Sequence, residues 1–133
     1  MFPYLTAVYA AILGLLGAVL TVNVIVNRAR SDVTQGDGGV PALAQAIRAH
    51  CNFAEQTPLA LMLVGLVEGF GYRALIVHGL GVVLLAGRLL SAWGLATTLK
   101  LSFGRNAGIS LTVVVVVAAS VLVLYTGAAT FMR

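Results

Sequence analysis

The chain has 133 residues, of which 60% are hydrophobic and only 9% charged, with a formal net charge of +4. A water-soluble domain carries about a quarter charged residues, so this composition excludes one and points to a single-domain integral membrane protein. The positive charge is too small and too scattered for a nucleic-acid surface. The lone Cys51 excludes an intrachain disulfide and makes a thiolate metal site implausible.

The first apolar run covers residues 4–27, and no charge interrupts it before Arg28. It is long enough to cross a bilayer, and it lacks the basic start and the cleavage site of a signal peptide. Residues 28–41 combine charge, glycines and a proline and read as a loop on the water side. Pro41 suits the first turn of a second helix, expected over residues 42–68. Arg48, Asn52 and Glu55 lie at i, i+4 and i+7 near its start, so they share one face. A polar stripe of this kind costs several kcal/mol per unsatisfied group in a membrane unless something polar meets it.

Glycines at 69 and 71 can end that helix, and Tyr72-Arg73 makes a short turn. The third span, residues 74–99, has one interior charge, Arg88. The fourth, residues 106–131, has none before Arg133, and a second basic loop from Lys100 to Asn106 separates the two. Four spans with short connections predict an all-α, up-down-up-down bundle. Arg28, Arg30, Arg48, Lys100 and Arg105 fall on the first and third loops, against Arg73 and Arg133 elsewhere. The positive-inside rule then places both termini outside and the basic loops in the cytoplasm.

A guanidinium at membrane depth must face the bundle interior, so Arg88 is expected to turn inward, with Glu55 or Glu68 as its ion-pair partner. Ser91 and Leu95 share its face, while Trp93 points elsewhere as a packing or interfacial aromatic. Arg28, Arg30, Lys100 and Arg105 each have the alternative of a topology anchor. His50 lies on a different face from Arg48. His78 reads as a packed, hydrogen-bonded histidine, and two histidines without matching carboxylates do not make a metal site. Cys51 reads as a small apolar filler. No Ser-His-Asp set, nucleotide loop or kinase pattern is present in the sequence. Arginines that end the first span and open the second and fourth converge on one leaflet, together with Asn52 and Glu55. That set suits a ligand with several carboxylates and one ammonium group.

Arg48-Ala-His-x-Asn-x-x-Glu55 followed by Pro58 resembles the membrane-associated proteins in eicosanoid and glutathione metabolism, the MAPEG family. The arginines after the first span, Gly-Arg88 with Gly94, Phe103-Gly-Arg105 and the Gly36-Asp37-Gly38 loop support the likeness, which covers almost the whole chain. The resemblance implies a homotrimer that binds glutathione as co-substrate between subunits near the cytoplasmic face. Arg48, Asn52 and Glu55 would then hold its polar ends, with Arg28 and His50 as further contacts and Arg88 in support. Arg105 would be the catalytic residue that holds the thiolate. The family's synthases carry tyrosines where this chain has Ser91, Leu95 and Ile109.

The implied function is a bacterial inner-membrane transferase or peroxidase that uses glutathione on hydrophobic electrophiles or lipid hydroperoxides from the bilayer. The rival is a non-catalytic lipid-binding scaffold of the same fold. A small multidrug transporter would want an acid inside the first span, and none precedes Asp32. The arginine asymmetry has a direct test: reporter fusions at the C-terminus should be active outside the cytoplasm, and activity confined to the cytoplasm would reverse the orientation.

Overall fold

The computed structural model describes residues 2–97 and 102–132. Four helices account for nearly all of them: α1 (Tyr4–Ser31), α2 (Pro41–Gly69), α3 (Ala74–Thr97) and α4 (Phe103–Phe131). Lys100 and Arg133, both placed outside the spans by the sequence, and the expected end of the third span at residue 99 lie outside the described residues.

Helix ends follow their capping chemistry and differ from expectation at two points. α1 continues past residue 27 to Ser31, where Asp32 closes it in the left-handed conformation with φ 51°. Arg28 and Arg30 therefore occupy the last helical turn, where cations oppose the negative end of the helix dipole. α4 begins at Phe103 rather than at residue 106, because Ser102 caps it: the Ser102 hydroxyl accepts a hydrogen bond from the Arg105 backbone N–H at 3.3 Å. Arg105 consequently sits in the first turn of a helix and not in a loop.

Side-chain and backbone contacts fix the helix directions. Glu68, at the end of α2, accepts hydrogen bonds from the backbone N–H groups of Leu5 (2.8 Å) and Thr6 (2.7 Å) and from the Thr6 hydroxyl (2.7 Å). It thereby satisfies donors that the first turn of α1 cannot satisfy itself. Tyr9 of α1 meets Nδ1 of His78 at 3.0 Å, so His78 is hydrogen-bonded as the sequence reading expects. The Tyr72 hydroxyl, just before α3, reaches Leu122 O and Thr126 near the end of α4. The helices thus run alternately up and down. The starts of α1 and α3 and the ends of α2 and α4 share one end of the bundle, and the loop at 32–40 lies at the other. α2 and α3 form the centre, each touching all the other helices, while α1 and α4 flank them.

Leu13, Ala60, Val64, Val67, Val77, Leu84, Val115 and Ala119 make the apolar core. Large side chains such as Leu15, Val19, Val114 and Leu124 point outward from α1 and α4, the arrangement expected of lipid-facing helices. α1, α3 and α4 are long and apolar enough to cross a membrane. α2 has the length, at 29 residues, but its polar first half lowers its hydropathy.

Small residues bring α3 and α4 together. A Cβ on Gly94 would collide with the Arg105 backbone N and lie 2.9 Å from the Ser102 hydroxyl, and one on Gly87 would lie 3.0 Å from the Gly108 carbonyl. Backbone contact this close requires glycine on the facing surfaces. Gly94→Val should push the start of α4 off α3, costing about 1–3 kcal/mol as an overpacked substitution does. A thermal melt in detergent that matches wild type would show that the two helices can separate there without cost.

Candidate functional site

The polar stripe of α2 lies toward the end of the bundle opposite the Glu68 cap, above a small apolar cluster of Leu20, Ala49, Ala92 and Leu95. There the helices leave a cavity of about 210 Å³ lined by Arg48, Cys51, Asn52, Glu55, Leu95 and Arg105. α2 contributes one continuous helical face, α3 contributes Leu95, and the first turn of α4 contributes Arg105. Two guanidinium groups and one carboxylate thus face the same space. Arg48 and Glu55 are exposed, whereas Asn52 and Arg105 are partly covered.

Behind Asn52 lies Arg88, with 1% of its surface exposed. Its Nη1 donates to the Asn52 carbonyl oxygen (3.3 Å) and to Asn52 Oδ1 (3.2 Å), and its Nη2 donates to the Ser91 hydroxyl (3.3 Å). The expected ion pair with an acid is therefore not how this group is met. Glu68 is occupied by α1 at the other end of the bundle, and Glu55 faces the cavity. Polar neutral groups replace the carboxylate because α2 and α3 pack in a register that sets Asn52, not Glu55, against Arg88. Arg88 supports the cavity from behind and does not line it.

Arg28 is placed differently from the other arginines. Its Nη1 donates to the carbonyls of Gly36 (2.9 Å) and Val33 (3.4 Å), fastening the α1–α2 loop. It borders a second hollow of about 440 Å³ beneath that loop, whose wall also includes Arg48. Within the chain, then, Arg28 is not brought to the cavity with Arg105, and Arg48 stands between the two hollows. His50 is half-buried and is not among the residues lining the cavity.

Cys51 is exposed and lines the cavity, which corrects its reading as an apolar filler. The signal was available: position 51 lies three residues after Arg48 and four before Glu55, on the same helical face. Leu95, noted in the sequence as sharing the face of Arg88 and lacking the family's tyrosine, supplies the cavity's apolar wall. Ser91 is spent on Arg88, and Ile109 is half-buried on α4.

A family model described as the MAPEG family matches residues 6–125. The chain belongs to the MAPEG family. Over 107 residues, 80% of each chain, it is also 37% identical to a protein named inner membrane protein YecN in Escherichia coli (strain K12). The same identity and coverage hold for the protein of that name in Escherichia coli O6:H1. The resemblance read from the Arg48–Glu55 motif is thus borne out, and the motif maps onto the cavity-lining face of α2.

Cys51 offers a built-in probe of this MAPEG cavity. With Arg48 and Arg105 beside it, an anionic thiol reagent should label it faster than a cationic one of similar size, and the gap should shrink as salt is added. Equal rates at low salt would mean that the two arginines do not set the local field.

Proposed function

We propose that the protein is an inner-membrane, glutathione-dependent transferase or peroxidase acting on hydrophobic electrophiles or lipid hydroperoxides. The observation that carries this reading is the convergence of Arg48, Asn52, Glu55 and Arg105 on one cavity. Glutathione offers two carboxylates, an ammonium group and a thiol. Arginine forks suit the carboxylates, and Glu55 suits the ammonium. The family's association with glutathione and the inner-membrane name of the Escherichia coli relative support the same reading.

Arg105 has the catalytic role. A thiol with a pKa of about 8.5 is only a few per cent thiolate at neutral pH, and the thiolate is the nucleophile. A fixed guanidinium beside the sulfur favours the ionised form. In transfer, the sulfur forms a bond to the electrophilic carbon and the leaving group departs with its electron pair. In peroxide reduction, two glutathiones are oxidised to the disulfide while the hydroperoxide becomes an alcohol and water.

The cavity, at about 210 Å³, falls below the roughly 300 Å³ at which small-molecule pockets begin. A neighbouring subunit is the natural source of the missing wall, which agrees with the homotrimer that the family resemblance implies, and the arginine bias would set the cavity at the cytoplasmic face. Leu95 favours the second reading, a lipid-binding scaffold, since it removes a hydroxyl that would orient the peptide.

The deciding measurement is glutathione binding to the detergent-purified protein, with the ultraviolet absorbance of the thiolate followed as pH is varied. Wild type should ionise bound glutathione below the pH at which the free tripeptide ionises. Arg105→Ala should keep much of the binding, return the thiol toward its solution behaviour and slow reaction with a generic electrophile, and Arg105→Lys should rescue only in part. Binding without thiolate formation in wild type would favour the scaffold.

A further inference from the structure

α1 begins without a cap of its own. Its N-cap is Pro3, which offers no side-chain acceptor, and its first turn holds no acid. The N–H groups of Leu5 and Thr6 turn instead to Glu68, 63 and 62 residues away. Oε1 accepts from Leu5, and Oε2 accepts from both the N–H and the hydroxyl of Thr6. The carboxylate is buried, and all three donors are neutral.

The same end holds the rest of the polar attachment of α1. Among the described residues, hydrogen bonds between α1 and another helix involve Leu5, Thr6 and Tyr9, the last with His78 of α3. The side chains of Thr21, Asn27 and Arg28 bond within α1 or to the loop after it. α1 has no contact with α4 among these residues, and it buries only Thr6, Tyr9, Leu13 and Leu20. It is a flanking helix fastened at one end.

A carboxylate and a carboxylic acid serve that end differently. The ionised group offers acceptors on both oxygens, and its charge strengthens each bond and faces the positive end of the α1 dipole. The acid keeps its carbonyl oxygen as an acceptor, but it loses the charge and sets an O–H donor among donors. Attachment of α1 therefore favours the ionised form, so it is present at neutral pH and weakens as pH falls through the carboxylate range. The other titratable groups at this end are few. α1 brings Tyr9 and the exposed Tyr4, and α3 brings His78, which when protonated attracts the carboxylate. Tyr72 and Arg73 lie in the turn between α2 and α3, and α4 brings Tyr125, which is exposed.

We propose that Glu68 and the first turn of α1 form an acid-sensitive latch. The ionised carboxylate holds this end of α1 to α2, and its protonation lets that end swing away while α2, α3 and α4 stay packed. On the orientation that the arginine bias predicts, the latch faces the outer medium. α1 carries Arg28 at its other end, on the wall of the hollow shared with Arg48. The latch thus connects acidity at one face of the membrane to the polar end of the bundle at the other. It stands whether or not glutathione is the ligand.

The test is a distance measurement between paired spin labels on full-length protein in detergent, in a Cys51→Ser background. Val8→Cys with Leu75→Cys spans α1 and α3, and Leu75→Cys with Leu124→Cys spans α3 and α4; all three positions are exposed. From about pH 7 to about pH 3, which covers carboxylate titration, the α1–α3 distance should lengthen and broaden while the α3–α4 distance stays fixed. Return to neutral pH should restore it. Glu68→Gln, which removes the charge and keeps one acceptor, should show the long α1–α3 distance already at neutral pH. His78→Gln should keep the acid transition.

An α1–α3 distance that does not change with pH would overturn the latch. So would both pairs opening together, which is unfolding of the whole bundle. Loss of the transition in His78→Gln would make His78 the sensor, and a Glu68→Gln protein that behaves as wild type would free Glu68 of the role; either result overturns it. If Glu68→Gln does not fold, the wild-type and His78→Gln titrations decide.

Discussion

An apolar bundle has no water with which to satisfy a buried charge, and two buried charges govern how this one is assembled. Glu68 is met by the first-turn N–H groups of α1, and Arg88 is met by Asn52 and Ser91. Each contact joins helices that would otherwise be held by apolar packing alone, which discriminates poorly between registers in a lipid-like medium. Glu68 ties α2 to α1 at one end, and Arg88 ties α3 to α2 toward the other. The polarity of α2, which lowers its hydropathy below that of its neighbours, is therefore partly turned inward. It shares the centre of the bundle with α3 and carries a polar group for a neighbour at each end.

The Arg88 contact also places the site. By holding Asn52 it sets the rotation of α2, and the remaining face of that turn, with Arg48, Cys51 and Glu55, is presented to the cavity. α4 completes the lining by a different device. Glycines at 87, 94 and 108 let its backbone approach that of α3, and Ser102 fixes where its first turn begins. Arg105 is thus positioned by backbone packing and a helix cap, with no partner for its charge among the described residues. Such a guanidinium keeps its donors for a ligand.

Hydropathy made α1, α3 and α4 legible, because long uncharged runs have few alternatives. The motif on α2 was legible as a family likeness and as a helical face. What could not be read depended on how helices meet. Charge complementarity nominated Glu55 and Glu68 for Arg88, but the register between α2 and α3 is a property of packing, and it brought a neutral amide instead. Arg28 was legible as a cation ending the first span and, by resemblance, as a further glutathione contact; the path of the loop at 32–40 decided that it would bind the carbonyls of Val33 and Gly36. Cys51 was misjudged for another reason. Residue type was allowed to outweigh position, although the spacing 48, 51, 52, 55 put it on the polar face.

Membership of the family fixes the scaffold and leaves the chemistry to the lining. Charged anchors at the two ends of a peptide serve an enzyme and a binding protein equally well, so Arg48, Asn52 and Glu55 do not distinguish them. The distinction rests on what meets the sulfur. Leu95 and Ile109 have no hydroxyl, and Ser91 has given its oxygen to Arg88. On the proposed function, Arg105 is then the group in the lining that would stabilise a developing negative charge on sulfur, the other charged groups being committed to the ends of the peptide. Leu95 is the apolar member of that lining. On the proposed function, a cavity with its polar anchors on α2 and its apolar wall on α3 would accommodate one water-soluble and one lipid-soluble reactant. On that reading the chemistry between them would depend on a single guanidinium, that of Arg105.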